Sequence, residues 1–217
     1  MTDQTSPPSA GTGVALVVLN MNNAVASPDS RFQTGLRAKG IDTTYFDERV
    51  TNVVVPNINT LASSVRAKNG VVAWVRPEWR TDNAVDWPFG TRARLIANGF
   101  DTPSHEGLES FSLLDSFVVE PGDHYLSTFS PSAFCGSPLL ATLRNLQVTH
   151  VLITGCFTDS AVVINALDGM NTDFFTTIID DACASLSEER HRECFVVHSR
   201  LPVAMTSEIV KRLEKEP

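Results

Sequence analysis

The sequence contains no hydrophobic run long enough to cross a lipid bilayer. Its longest apolar runs are Val14–Leu19 and Val71–Val75, whereas a membrane-spanning helix needs about 20 residues. Basic clusters are also missing: 17 Lys and Arg stand against 25 Asp and Glu, for a net charge of −8. A nucleic-acid-binding surface normally requires such a basic patch. We therefore expect neither a membrane nor a nucleic acid among the partners of this protein.

Cysteine is scarce, and its four copies show no ordered spacing. Cys135, Cys156, Cys183 and Cys194 form no CxxC pair and no regular framework, which is typical of reduced thiols in the cytoplasm. The five histidines are scattered along the chain, and the stretch VRPEWRTD after the second predicted strand contains none, so no metal site is predicted. Residues 1–13, MTDQTSPPSAGTG, lack the basic-then-apolar order of a signal peptide. We expect a flexible tail there, a cytoplasmic protein, and no cofactor.

Past the tail, apolar strand-like runs alternate with segments of helical periodicity. Val14–Leu19 is apolar throughout, as in a strand that is buried on both faces. Pro56 then opens a helical pattern, and Ser137-Pro138 opens another. This alternation predicts one α/β domain over residues 14–217, with a doubly wound, mainly parallel, six-stranded sheet and helices on both faces. The predicted strands are Val14–Leu19, Val71–Val75, a short one at Tyr125-Leu126, Val151–Thr154, Phe174–Ile179 and Val203–Met205. Residues 77–112 show little periodicity and are expected to form a long irregular insertion.

Ligands of such sheets bind at the carboxyl ends of the strands. Residues 20–23, 127–134 and 155–161 follow three of the predicted strands and are expected to meet there. These segments carry amides, hydroxyls and aromatic rings, but no Lys, no His and a single acid, Asp159. The residue types are therefore unusual for a hydrolytic centre.

From about residue 14 to 206 the chain resembles the isochorismatase-like, or cysteine hydrolase, superfamily. The stretch VVLNMNNAVASP resembles its opening D-M-Q-N motif, with Asn20 in place of the Asp. TFSPSAFCGSPL resembles K-x-x-x-S-A-F-x-G-T-x-L, with Thr128 in place of the Lys. GCFTDSAV resembles G-v-x-T-D-x-C-V, with Ala161 in place of the Cys. The stretches NNAVASP and VRPEWR look closest to the ureidoacrylate amidohydrolase branch.

The resemblance implies a chemistry that this sequence cannot perform. In the family, an Asp beside a Lys activates the Cys, which attacks an amide carbonyl to form a thioester. It also implies oxyanion donors at the N–H groups of Phe157 and Ala161, next to a cis peptide between Cys156 and Phe157. With Asn20, Thr128 and Ala161 at the three triad positions, thioester hydrolysis is excluded. Acid catalysis by a retained Asp and Lys is excluded as well, because an Asn amide cannot shuttle protons.

Cys135 and Asp159 remain as candidate catalytic groups. Cys135 adjoins the S-A-F motif, although an inert, buried Cys is the commoner situation. Asp159 follows Thr158 in a pair that equally suits capping of the next helix. A serine hydrolase built on Ser160 and His191 is disfavoured, because no G-x-S-x-G elbow is present.

Candidate ligand-binding residues are amide, aromatic and guanidinium side chains: Asn23, Trp79, Arg80, Phe134 and Phe157, with Trp87 nearby. Aromatic walls with an Arg suit a planar, anionic small molecule, but the same residues are enriched at subunit interfaces. The resemblance implies a homodimer or homotetramer. Two functions stay open: a repurposed lyase, isomerase or cyclase of secondary metabolism that acts on a small amide or conjugated metabolite, or an inactive protein that binds a ligand or an active partner.

Overall fold

The computed structural model describes residues 13–78, 85–97 and 112–215. The predicted tail, except for Gly13, and the candidate residues Trp79 and Arg80 lie outside these ranges. Within them, no helix is long and apolar enough to cross a membrane.

Six parallel strands form a single sheet, as the alternation of apolar runs predicts. In chain order they are β1 (Val14–Leu19), β2 (Val71–Pro77), β3 (His124–Thr128), β4 (His150–Cys156), β5 (Phe175–Ala184) and β6 (Val203–Ala204). Their spatial order is β3-β2-β1-β4-β5-β6, and every pairing between them is parallel. From β1 the chain therefore adds β2 and β3 toward one edge of the sheet, and from β4 it adds β5 and β6 toward the other edge. The carboxyl ends of β1 and β4 form the switch point, where ligands of this architecture bind.

Helices cover both faces of the sheet. They are α1 (Arg31–Ala38), α2 (Thr44–Arg49), α3 (Val55–Ala67), α4 (Phe89–Ala97), α5 (Ala133–Gly136), α6 (Leu139–Asn145), α7 (Val163–Asn171), α8 (Glu188–Val197) and α9 (Thr206–Lys215), with π-helical turns at Val50–Val54 and Thr158–Val162. Leu16 and Val18 of β1 pack with α3 and α9 on one face. Ala15 and Val17 pack with α6 and α7 on the other. Both faces of β1 are thus buried, which explains its uninterrupted apolar sequence.

The structure differs from the predicted elements at several boundaries. β5 extends to Ala184, beyond the expected end at Ile179. The helix predicted at Pro56 is α3, which begins at Val55 and continues from α2 through the π-helical turn Val50–Val54. Pro56 has no N–H group to donate a hydrogen bond back into that turn. Pro138 occupies the N-cap of α6, so that helix begins one residue later than predicted. The stretch 77–112 was wrongly expected to be irregular throughout, since it contains α4.

Candidate functional site

Asn20 joins the two strands of the switch point. It follows β1 directly, and its side-chain Nδ2 donates a hydrogen bond of 2.8 Å to the carbonyl of Cys156 at the end of β4. The Cys156 thiol in turn donates to the carbonyl of Asn20 over 3.5 Å. Asn20 has a φ of 59°, a left-handed conformation that Asn adopts more readily than most residues. The amide at this position thus has a structural partner on the neighbouring strand.

The backbone between β4 and the next turn has the geometry that the sequence implied. A cis peptide bond joins Cys156 to Phe157, which confirms the prediction for this bond. Gly155, with a φ of 105°, lies so close to β1 that a Cβ atom would stand 2.1 Å from the carbonyl oxygen of Leu19. Only glycine permits this approach of the two strands. Cys156 itself is fully buried, and burial raises the pKa of its thiol well above the usual range, as expected of a structural cysteine.

Thr128 ends β3 and is bound to the loop that follows it. Its hydroxyl donates to the carbonyl of Ser130 over 2.8 Å and accepts from the Ser130 N–H over 3.2 Å. The residue is 5% exposed. Gly136 closes the same loop by accepting from the Phe129 N–H over 3.1 Å. The Thr128 side chain therefore takes part in the hydrogen bonds of its own loop. It differs in this from a Lys side chain, which is long enough to extend its charge toward a substrate.

Asn165 of α7, which sequence reasoning missed, ties this loop to the turn after β4. Its Nδ2 donates to the carbonyls of Pro131 over 3.0 Å and Ala161 over 2.8 Å, while its Oδ1 accepts from the Ala133 N–H over 2.8 Å. Its side chain is completely buried. The signal was an amide inside the otherwise apolar run VVINAL, because a buried amide has to find polar partners.

His191 anchors the same turn from the opposite side. Its Nδ1 lies 2.7 Å from the Thr158 hydroxyl, and its Nε2 lies 2.7 Å from a carboxylate oxygen of Asp180. Arg49 completes the group through a hydrogen bond of 2.9 Å to the Asp180 carbonyl. The hydrogen bond from His191 lowers the pKa of the Asp180 carboxyl, against the effect of burial. His191 is buried, and these partners satisfy both nitrogens of its ring.

Asp159, the single acid of the predicted segments, is engaged in an ion pair. Arg190 approaches its carboxylate with Nε at 2.9 Å and Nη2 at 2.5 Å. The Ser185 hydroxyl donates to the other carboxylate oxygen. Asp159 therefore fastens the turn to the connection between β5 and α8. Ala161, in the same turn, is 5% exposed and packs into the core against α6 and α7.

Cys135 is exposed, which corrects the alternative of a buried cysteine at this position. Its thiol lies 3.8 Å from a carboxylate oxygen of Asp168, and Ser132 donates to the same oxygen over 2.5 Å.

The candidate ligand-binding residues lie in different surroundings. Asn23 donates through its backbone N–H to Ser112 over 2.8 Å and through Nδ2 to Leu113 over 3.4 Å. The Phe134 ring is buried against Phe174 at a centroid distance of 5.9 Å. The centroid of the Phe157 ring lies 5.6 Å from that of Phe32 and 5.0 Å from that of Phe46. Trp87 donates to the carbonyl of Glu78 over 3.1 Å.

Glu78 is a second acid at the carboxyl ends of the strands, and the sequence reasoning did not single it out. It follows β2, and its carboxylate accepts a hydrogen bond from Ser127 of β3. Arg76 lies 3.9 Å from the same carboxylate oxygen. Its position one residue after β2 was the available signal. Among the described residues, no group of three or more His, Cys, Asp or Glu side chains has the arrangement of a metal site.

Known proteins resemble this chain in sequence and fold. The sequence pattern described as Isochorismatase domain matches residues 14–208. A cysteine hydrolase from Pseudomonas syringae pv. phaseolicola 1448A superposes with a TM-score of 0.76 at 16% identity, covering 98% of this chain and 100% of that one. An isochorismatase family protein from Desulfovibrio vulgaris gives 0.73 at 18% identity, over 94% and 100%. N-carbamoylsarcosine amidase from Thermoplasma acidophilum gives 0.68 at 20% identity, over 91% and 99%. At these identities the structures establish the fold alone.

Proposed function

This chain belongs to the isochorismatase family, and we propose that within it the protein binds a small amide or conjugated metabolite without hydrolysing it through a thioester. Asn20, Thr128 and Ala161 stand, in this proposal, at the positions of the family's Asp, Lys and Cys. The three replacements remove the base, the cation and the nucleophile together.

The hydrogen bond from Asn20 Nδ2 to the Cys156 carbonyl, 2.8 Å long, carries the proposal. An ionised Asp offers only acceptors, so a carboxylate in this conformation would face the carbonyl oxygen unfavourably. The junction between β1 and β4 therefore requires an amide donor at residue 20, and a proton-accepting base does not suit this position. Thr128 bonded to its own loop and Ala161 packed in the core support the same conclusion.

Amide-like compounds are the ligand class that we favour. The resemblance of NNAVASP and VRPEWR to the ureidoacrylate branch points to carbonyl compounds that carry an amide or carbamoyl nitrogen. One structural neighbour is named N-carbamoylsarcosine amidase, which places amides first among the compounds to test. Backbone N–H groups of the turn after β4 suit a ligand carbonyl, since they persist whatever the side chains are.

The test combines binding with turnover. Thermal unfolding is measured with a panel of small carboxamides, ureido acids and conjugated acids, and ammonia release is measured on the same panel. We expect at least one compound to raise the melting temperature in a concentration-dependent manner, with no ammonia released. Ammonia release from any amide at enzyme-like rates would refute the proposal, as would a panel without a single binder.

A second candidate, non-hydrolytic catalysis of the lyase, isomerase or cyclase type, is favoured by Glu78. Its carboxylate lies at the carboxyl end of β2 and accepts a hydrogen bond from Ser127, with Arg76 3.9 Å away. The Asp159 carboxylate, by contrast, is approached by Arg190 to 2.5 Å. A carboxylate with a hydroxyl partner is able to move a proton on a conjugated substrate. Incubation of conjugated acids with the protein and its Glu78→Gln variant, followed by NMR, tests this: new signals that vanish in the variant support catalysis.

We further propose a cytoplasmic homo-oligomer, a dimer or a tetramer, with a small molecule as its main partner and a place in secondary metabolism. The basis is the family resemblance together with four cysteines that show no regular spacing, as is typical of reduced thiols in the cytoplasm. Light scattering after gel filtration measures the assembly, and a strictly monomeric mass would contradict this part of the proposal.

A further inference from the structure

The last two residues of α8 are valines that remain in solvent. Val196 is 76% exposed and Val197 is 74% exposed, more than any other large apolar side chain of the described residues except Phe89. A single apolar residue on a protein surface is ordinary. Two neighbouring ones, both mostly in water, form a continuous apolar surface, and association with another surface would remove it from water.

The opposite face of α8 is held against the domain, so the helix cannot turn to bury these valines. His191 and Cys194 are its buried residues. The His191 ring meets the Phe195 ring edge-on, with 5.1 Å between the centroids. The Cys194 thiol donates a hydrogen bond of 3.5 Å to the carbonyl of Thr158. Burial of the two valines therefore requires a second surface that approaches from outside.

Residues of opposite charge flank the two valines at equal spacing. Glu193 stands three positions before Val196, and Arg200 stands three positions after Val197. The first three of these residues share one face of α8, since they are spaced i, i+3 and i+4, and Arg200 follows in the turn after the helix. Both charged residues are exposed. Within the described ranges, neither of them forms an ion pair.

This order of acid, apolar pair and base is complementary to itself. In a dimer with a two-fold axis, the same surface patch meets its own copy in the opposite direction. An axis between the two valines sets Val196 of each copy against the partner's Val197. The same axis sets Glu193 of each copy against the partner's Arg200. A parallel arrangement would instead bring like charges together, so the charges favour one orientation.

We propose that this face of α8 is where two copies of the chain associate, an inference that rests on the homo-oligomer proposed above and names its interface. Val196 and Val197 form the centre, and the two Glu193–Arg200 contacts lie at the rim. An apolar centre with a polar rim is the usual anatomy of such contacts. A stable interface covers about 800 Å² of each partner, so the surface around the valines supplies the remaining area.

The first experiment removes the apolar centre. Light scattering and sedimentation velocity compare the wild type with Val196→Asp/Val197→Asp over a range of concentrations. We expect the mass of the assembly to fall by half and the dissociation constant to rise at least about 30-fold, as for the loss of a central contact. Val118→Asp is the matched control, because Val118 is also exposed but lies beside Arg66 of α3. The control should keep the wild-type mass.

The second experiment tests the two-fold arrangement itself. Glu193→Arg and Arg200→Glu should each weaken association by roughly tenfold, because each variant sets like charges against one another at both ends of the contact. When the two variants are mixed in equal amounts, both contacts of the mixed dimer join opposite charges. The mixture should therefore recover the wild-type mass. Two variants that stay dissociated when mixed would overturn the proposed arrangement.

The outcomes separate this inference from the proposed function. If Val196→Asp/Val197→Asp keeps the wild-type mass and dissociation constant, the inference is overturned, while the proposed assembly stands. A wild type that is monomeric at every concentration overturns the inference and the proposed assembly together. Binding of the amide panel, followed by thermal unfolding, is measured separately on the same samples and decides the ligand proposal. If the double variant unfolds, Val196→Ser/Val197→Ser replaces it, with the dissociation constant as the readout.

Discussion

The side-chain amide of Asn20 and the carbonyl of Cys156, 136 positions apart in the sequence, are joined by a hydrogen bond of 2.8 Å. We predict that Asn20→Asp destabilises the protein by about 1–3 kcal/mol at pH 7, the cost of leaving a buried group unsatisfied. The loss should shrink in acid, where a protonated Asp is again a donor. Urea unfolding at pH 7 and pH 4.5 measures both effects, and equal losses at the two values would contradict the hydrogen-bond explanation.

Restoring all three residues of the family triad tests whether the scaffold still supports hydrolysis. The variant Asn20→Asp/Thr128→Lys/Ala161→Cys should release ammonia from at least one small amide, because it returns the base, the cation and the nucleophile to the carboxyl ends of the strands. The double variant that keeps Ala161 is the control, since it lacks a nucleophile. A triple variant that folds but remains inactive on every amide would show that the ligand region has diverged beyond the triad.

The hydrogen bonds around His191 should behave as one unit. His191→Ala is expected to cost about 2–4 kcal/mol, because it leaves Thr158 and Asp180 without their shared partner. Thr158→Val should cost about 1 kcal/mol. In a double-mutant cycle the two changes should be non-additive by at least about 0.5 kcal/mol. His198→Ala, at the end of the same helix, is the comparison variant, and strictly additive losses would disprove the coupling.

Acid sensitivity is predicted at Asp123. Burial pushes the pKa of its carboxyl upward, but the hydrogen bonds from Arg66 at 2.6 Å and Trp74 at 2.8 Å outweigh burial and hold the pKa below its ordinary value. A lowered folded-state pKa gives stability that is present above the ordinary value and lost as the pH falls through the folded one. Stability should therefore decline below about pH 4.

Asp123→Asn should destabilise the protein by roughly 3–5 kcal/mol at pH 7, because Arg66 loses its buried partner, and it should flatten the acid limb of the pH profile. Glu120→Gln, which alters the more exposed partner of Arg66, should change stability by less than about 1 kcal/mol. Chemical unfolding between pH 2.5 and pH 7 makes the comparison. If the free energy of unfolding of Asp123→Asn still declines in acid as it does in the wild type, carboxyl groups other than Asp123 cause the acid sensitivity.

Thiol labelling distinguishes Cys135 from the other cysteines. Cys135 is exposed, whereas Cys156, Cys183 and Cys194 are buried, and burial raises the pKa of the Cys194 thiol to about 11. A disulfide reagent at pH 8 should therefore modify one thiol per native chain rapidly and all four after unfolding. Cys135→Ser should abolish the rapid phase. Two or more rapidly labelled thiols in the native chain would contradict the burial of Cys156, Cys183 and Cys194.

The sheet was predictable because the local sequence of its strands, above all their apolar runs, indicates where they lie. Val14–Leu19 is apolar throughout, and its two faces meet two separate layers of helices. α2 was missed because Phe46 is its only buried residue, so it shows no apolar stripe. Asn165 was missed for a different reason. It is a polar residue buried by partners that include Pro131, 34 positions earlier, and no local pattern records such a partner.

Strand order also has a consequence during synthesis of the chain. β1, the earliest strand among the described residues, pairs with β4, whose last residue is Cys156, so its second edge stays unpaired until β4 has left the ribosome. An exposed, fully apolar edge is a template for aggregation. Nascent chains that stop after β3 should therefore need chaperone protection, and this need should end abruptly once β4 emerges from the exit tunnel.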